Sequence, residues 1–232
     1  INKIETVCDF RGDFAGLTML ISKIAKIKNR IVFYRESEYQ FEKTLVKLIY
    51  IKFFNKMVYF FSNKILSNSN TALNNFYSKY FLKYKKTKVI YNGISIEEDI
   101  LIDKIKLRLQ LGIPDNAFVV GHVGRYCKAK NYETIIKVIK RVVEIDNSVY
   151  FLLCGRDVET AITDYGIVDN VITPGYCENI QNYYKIMDSF IFPSINEGQP
   201  NALIESFINK IPTICSNIDS ITEILPSKIY IP

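Results

Sequence analysis

Two glutamates, Glu197 and Glu205, flank a Gly-Gln-Pro turn in the stretch NEGQPNALIES. An ionised carboxylate accepts hydrogen bonds from neighbouring hydroxyls, so two of them at different heights can read two sugars. Between them, Gly198 and Gln199 leave backbone N–H groups free to face a phosphate or a hexose. Pro200 suits the first turn of a helix, which Asn201, Ala202 and Leu203 continue. Leu203 and Phe207, four apart, would share its buried face. A plainer reading exists: Glu205 as a solvated helix residue, and Glu197 as a loop carboxylate favoured by the dipole of a helix N-terminus. A second constellation lies in GHVGRYCKAKN, residues 121–131. Gly124 lets the backbone approach a ligand. Arg125 and Lys130 supply full positive charge, and the helix opening near Asn131 adds free N–H groups for an anion. Arg156 in LLCGRD could stack on a base, meet a phosphate or remain a solvated loop residue. Gly175 and Tyr176 in TPGYCEN offer backbone groups to the edge of a planar base.

The elements needed to position these residues are legible as a pattern. AFVVGHVG, VYFLLCG, DNVITPG, SFIFPS and IPTICS read as buried strands. NYETIIKVIKRVVEI, IQNYYKIMD and PNALIESFINK read as helices, the first with Ile135, Val138, Ile139 and Val142 on one face. Strands alternating with helices, and ending in glycine or proline, imply a parallel doubly wound α/β sheet with helices on both faces. Open sheets of this kind place ligands beyond the carboxyl ends of their strands, where all of the residues named above fall. An arginine–lysine pair for diphosphate and carboxylates for sugar hydroxyls are what a nucleotide-sugar site requires.

The first hundred residues repeat the theme. IETVCDF, NRIVFYR, KILSNS and TKVIYNG read as strands, AGLTMLISKIAKI and TALNNFYSKYF as helices. A long helical stretch is expected from about Glu38 to Phe61. Within it, LVKLIYIKFFNKMVYFF is apolar and aromatic but interrupted by Lys47, Lys52 and Lys56, which argues against a transmembrane span. Two readings stay open: a core helix with snorkelling lysines, or a helix lying at a membrane surface.

The chain has 232 residues, a net charge of +6 and 48% hydrophobic residues, enough for a large core and against disorder. Its lysines are dispersed, with no nucleic-acid motif, so nucleic acid is not an expected partner. The five cysteines are widely spread without a CxxC pair, and His122 is the only histidine. No metal site is expected, and the thiols suit a reducing, cytoplasmic setting.

FIFPSINEGQPNALIESF resembles the E-x7-E signature of family 4 glycosyltransferases. YNGIS, GHVGRYCKAKNYETIIKVI, LLCGRD and NIDSITEIL resemble further family stretches, in the family's order. The resemblance covers about residues 88–226. It implies a GT-B fold of two Rossmann-like domains: 1–94 as a partial acceptor-side domain, 95–116 as a linker with a short helix, and 117–232 as the nucleotide-sugar domain. It implies truncation at both ends. It also implies a retaining, metal-independent enzyme of O-antigen, capsule or exopolysaccharide assembly. The donor would be a nucleotide diphosphate sugar, with UDP the expected carrier and no separate cofactor. The acceptor would be a glycan or lipid-linked glycan, with the inner face of the cell membrane as a further partner surface. By the same resemblance, Glu197 meets the donor hexose and Gly198, Gln199 and Pro200 line its pocket. Asn201, Ala202 and Leu203 sit over the diphosphate, Glu205 binds the ribose, and Arg125 and Lys130 stabilise the leaving diphosphate. Glu223 falls at the next family glutamate, and the matching neighbourhood of the family's acceptor-domain histidine is FYRESE. Two alternatives remain: a truncated relative that binds nucleotide-sugar without transferring it, and a nucleotide-sugar 2-epimerase.

Overall fold

The computed structural model describes residues 3–36, 44–77, 86–95, 103–166 and 170–225. Its backbone separates into two compact units. One comprises residues 1–92, 196–199 and 218–232, the other residues 93–195 and 200–217. The part of the expected long helix before Thr44, the end of the helix expected over TALNNFYSKYF and residues 96–102 of the expected linker lie outside the described residues.

In the first unit, strands β1 (Thr6–Asp9), β2 (Asn29–Tyr34), β3 (Lys64–Ser67) and β4 (Thr87–Val89) form a parallel sheet in the order β1-β2-β3-β4. Helices α1 (Ala15–Ile24), α2 (Leu45–Phe61) and α3 (Asn70–Phe76) connect them. Val32, Tyr34 and Ile65 from the strands pack with Ala15, Met19, Val58 and Leu73 from the helices. Gly16 allows α1 to approach α2 closely, since a Cβ there would lie 2.9 Å from the Phe54 carbonyl oxygen. Thr44 caps α2, its side chain accepting from the Lys47 N–H at 3.4 Å. That helix buries Ile51, Asn55, Val58 and Tyr59, a single stripe at helical spacing. Leu45, Val46, Ile49, Tyr50, Phe53 and Phe60 stay exposed beside its lysines. The helix is therefore core on one side only.

The second unit contains α4 (Lys104–Gln110), β5 (Phe118–Val123), α5 (Tyr132–Ile145), β6 (Val149–Cys154) and α6 (Val158–Tyr165). It continues with β7 (Val171–Gly175), α7 (Ile180–Tyr184), β8 (Ser189–Phe192), α8 (Asn201–Ile208) and β9 (Thr213–Cys215). All five strands are parallel, in the order β7-β6-β5-β8-β9. The connections from β5 run outward through β6 to β7, then return to β8 on the other side. Right-handed crossovers then place α5 and α6 on one face and the later helices on the opposite face. Side chains follow suit. Phe151 and Leu153 pack with Ile135, Ile139 and Ala161, while the alternate residues Leu152 and Cys154 point to the opposite face. On that face the Tyr184 ring lies 5.7 Å from that of Phe190.

Two elements differ from the sequence reading. The fully buried stripe of α5 is Tyr132, Ile135, Ile136 and Ile139, and Val138 and Val142 are only partly covered. The bulk of Tyr132 rotates the buried arc toward the start of the helix. Helix α6 has no clear signal in DVETAITDYG, because only Val158 and Ala161 are buried in it. Arg108 of α4 ties that helix to the sheet. Its guanidinium donates to the carbonyls of Asp115, Ala117 and Ile186 and pairs with Asp188 at 2.9 Å. Asp188 in turn accepts from the Val119 N–H at 2.8 Å.

Candidate functional site

The order of the second sheet reverses between β5 and β8, and neighbouring strands whose connections leave in opposite directions open a crevice beyond their carboxyl ends. Gly124, Arg125 and Lys130 follow β5, Arg156 follows β6, Gly175 and Tyr176 close β7, and Asn201 to Glu205 open α8 after β8.

Backbone contacts weld these loops into one platform. The Gly124 N–H donates to the Cys154 carbonyl at 2.9 Å, and the Gly155 N–H to the Gly175 carbonyl at 2.9 Å. The Tyr126 N–H reaches the Arg156 carbonyl at 2.9 Å, and the Tyr132 hydroxyl donates to the Gly124 carbonyl at 2.6 Å. Gly155 has φ +156°, and a Cβ there would fall 2.1 Å from the Gly124 oxygen. No other residue fits at that crossing. On the other side of the reversal, the Ile195 N–H donates to the Ala129 carbonyl at 2.9 Å and the Asn131 amide to the Pro193 carbonyl at 3.2 Å. Asn131 itself adopts a left-handed conformation, φ 54°, to turn the loop into α5.

The charged groups differ in how they are held. Arg125 is exposed and its guanidinium makes no ion pair among the described residues. The Lys130 ammonium lies 4.6 Å from the centre of the Phe192 ring, and the Arg156 guanidinium 5.0 Å from that of Tyr176. Glu205 Oε2 accepts from the Tyr184 hydroxyl at 2.9 Å, and the Ala202 carbonyl accepts from the same hydroxyl at 3.0 Å. Burial, with the Glu205 carboxylate beside it, pushes the Tyr184 hydroxyl far above its ordinary range, so it remains a donor. Leu203 turns its side chain into the core, and its N–H donates to the Pro200 carbonyl at 3.1 Å. The site residues that sequence reasoning missed are therefore Tyr184 and Tyr132, which orient Glu205 and Gly124.

His122 sits at the base of this platform, fully buried. Its Nδ1 lies 2.9 Å from the Ile191 carbonyl oxygen, which requires the Nδ1–H tautomer. Its Nε2 lacks a hydrogen-bond partner among the described residues. Burial, with the nearby Lys130 charge adding to it, lowers its pKa to about 4, so the ring is neutral at physiological pH.

Glu197, Gly198 and Gln199 belong to the first unit. Gly198 packs on the Arg35 carbonyl, where a Cβ would lie 2.2 Å from the oxygen. The Gln199 side-chain oxygen accepts from the Asn92 N–H, and its NH2 donates to the Asn92 carbonyl at 3.4 Å. In the same unit the Glu223 carboxylate accepts from the N–H groups of Asn70 at 2.7 Å and Thr71 at 3.0 Å, and from the Tyr91 hydroxyl at 3.0 Å. Burial pushes that carboxyl up, but these hydrogen bonds outweigh it and hold the group below its ordinary range.

A family model described as "Glycosyl transferases group 1" matches residues 103–228, more than half of the chain and every residue from Arg125 to Glu223. The chain is 29% identical over 221 residues to the capsular polysaccharide biosynthesis glycosyltransferase CapH of Staphylococcus aureus, covering 90% of this chain and 59% of that protein. It is 31% identical over 144 residues to the UDP-Gal:alpha-D-GlcNAc-diphosphoundecaprenol alpha-1,3-galactosyltransferase of Escherichia coli, covering 58% of this chain and 37% of that one. Among solved structures, HepE of Anabaena in complex with UDP-glucose matches with a TM-score of 0.75 at 20% identity, over 96% of this chain and 62% of HepE. The chain spans less than two thirds of each of these three proteins. The chain has the GT-B fold of solved neighbours such as HepE, built on parallel α/β sheets with helices on both faces. With its signature residues on the strand ends of such a sheet, the chain belongs to the group 1 glycosyltransferases.

Proposed function

We propose that the protein is a retaining, metal-independent glycosyltransferase. It moves a hexose or N-acetylhexosamine from a nucleotide diphosphate sugar to a growing glycan in surface polysaccharide assembly. One observation carries the reading: an exposed Arg125 with no ion pair among the described residues, at the sheet reversal, in the same unit as a Glu205 carboxylate oriented by a buried tyrosine. Arg125 and Lys130 bind the diphosphate, and Glu205 the ribose. Asn201 and Ala202 present backbone groups at the start of α8. Charge grows on the diphosphate as the glycosidic bond breaks, so the two cations act more on rate than on binding. The departing phosphate helps to remove the proton of the acceptor hydroxyl. UDP is the proposed carrier, in keeping with the UDP named for the Escherichia coli relative and the UDP-glucose held by HepE.

Calorimetric titration with UDP, GDP and ADP, beside Glu205→Ala and Arg125→Ala, tests the reading. Saturable binding of UDP, weakened at least about tenfold by Glu205→Ala, is expected, a loss of about 1.4 kcal/mol. A folded chain that binds none of the three overturns it.

The outer side of α2 supports a place of work at a membrane surface. Exposed Leu45, Val46, Ile49 and Phe53 alternate there with Lys47, Lys52 and Lys56. An apolar face edged by lysines fits an anionic lipid surface, and we place the protein peripherally at the cytoplasmic face of the membrane. No helix among the described residues is long and apolar enough to cross a bilayer. Flotation with phosphatidylglycerol vesicles but not phosphatidylcholine vesicles is the expected outcome, and equal behaviour with both removes the electrostatic argument.

A further inference from the structure

Two of the five cysteines meet at the edge of the platform. Cys154 ends β6 and is 1% exposed. In the ladder it stands opposite Gly175, the last residue of β7, where the register between the two strands shifts. Gly175 then takes a left-handed conformation, φ 72°, and folds the following residues back over the strand end. That turn brings the Cys177 sulfur to 3.6 Å from the carbonyl oxygen of Gly175, the residue that faces Cys154 in the ladder. Cys177 is half-buried and reachable from solvent, whereas Cys154 lies beneath it.

We propose that Cys177 and Cys154 form an oxidation site, with Cys177 as the nucleophilic thiol, Cys154 as the resolving thiol and a peroxide as the oxidant.

The chemistry balances with groups already in place. The Cys177 thiolate attacks one oxygen of hydrogen peroxide, the O–O bond breaks, and the hydroxide released takes up a proton as water. The product is a sulfenic acid. The Cys154 sulfur then attacks the Cys177 sulfur, the S–O bond breaks, and the second hydroxide leaves as water with the Cys154 proton. Two thiols and one peroxide give one disulfide and two waters. The neighbours favour this division of roles. Hydrogen bonds from Cys154 and Tyr183 hold the Cys177 thiol below its ordinary range, while Cys154 is pushed well above it by the same contact and by burial. Burial pushes the Tyr183 hydroxyl up to about 12, so it stays a donor to the thiolate. Cys8 and Cys215 are both shifted upward by burial, away from reactivity.

The disulfide would staple the loop of Arg156 to the loop of Tyr176, whose side chains already stack. A consequence for nucleotide binding rests on the donor-site reading above, but the oxidation site does not. The test is peptide mapping of the protein after brief peroxide treatment. Loss of two hydrogens from a linked Cys154–Cys177 peptide pair is expected, and Cys154→Ser should instead leave a Cys177 sulfenic acid that dimedone traps. In the untreated protein Cys177 should alkylate at least about tenfold faster than Cys8 near pH 7. Alkylation of Cys177 no faster than that of Cys8, or a disulfide that joins other cysteines, overturns the proposal. UDP titration of the reduced and oxidised forms keeps the two readings apart. Absence of binding in both forms defeats the donor site alone, and a mapped Cys154–Cys177 bond still stands.

Discussion

The Tyr184 hydroxyl has one proton and two acceptors within reach, Glu205 Oε2 and the Ala202 carbonyl. Removing it strands both. Tyr184→Phe should therefore cost about 1 kcal/mol of stability, the usual net worth of a hydrogen bond to partly buried acceptors. It should also weaken nucleotide binding by several-fold, because Glu205 loses its orientation. Chemical denaturation and UDP titration of the same variant measure the two effects. His122 leads to a pH dependence. Its folded pKa of about 4 lies below the ordinary 6.5, so the unfolded chain takes up a proton more readily between those values. Its contribution is fully present above 6.5 and is lost as pH falls toward 4, at no more than about 1.4 kcal/mol per pH unit. His122→Phe should flatten that slope in denaturation curves collected at several pH values. At this scale the sequence was half legible. Arg125, Lys130 and Glu205 stood out because their types and spacing suit anions and hydroxyls. Tyr184 did not, because only packing of α7 beneath α8 brings it 2.9 Å from a residue 21 positions later. The thiol pair was hidden for the same reason. Cys154 and Cys177 read as scattered until a left-handed turn at Gly175 joins them.

Among the elements, the strand exits were the most readable parts. Apolar runs ending in glycine mark buried parallel strands, and β5 and β6 lie where those runs are. What the pattern could not tell is why the glycines are needed. Gly155 is required by its neighbour, since its Cα faces the Gly124 carbonyl across the sheet edge. Gly155→Ala should destabilise the second unit by about 2–4 kcal/mol through strain and collision together. Thermal unfolding followed by tryptophan-free probes such as tyrosine fluorescence or circular dichroism would show it. Gly166→Ala is the natural control. It shares a positive φ, 60°, but a Cβ there meets nothing within 4 Å, so its cost should be only about 1 kcal/mol. Helix α6 was unreadable because two buried residues do not make a period. The buried face of α5 was only partly read, because its arc begins with a tyrosine that the apolar pattern passes over.

At the scale of the whole molecule, the first unit is assembled from segments far apart in the chain. Residues 218–232 belong with residues 1–92, and Glu223 hydrogen-bonds across the two segments. Its carboxylate takes the N–H groups at the start of α3, together with the Thr71 hydroxyl at 3.0 Å and the Asn70 amide at 2.9 Å. Because its folded pKa is depressed below 4.5, its contribution is present above that value and is lost as pH falls through the folded pKa. Glu223→Gln should lower stability on the order of 1–2 kcal/mol at pH 7 after solvent screening, and by less at acidic pH. Denaturant titrations at the two pH values compare them directly. No periodicity in the sequence announces this contact, since it spans more than half the chain. The contact also sets an order of events during synthesis. Asn70 leaves the ribosome long before Glu223 is made, and at about 5–20 residues per second the gap is on the order of 10–30 s. Throughout that interval α3 must wait with its first N–H groups bonded to water. A nascent chain halted before residue 223 should therefore carry an N-terminal unit that a protease can still open, even when the sheet of the second unit is already complete.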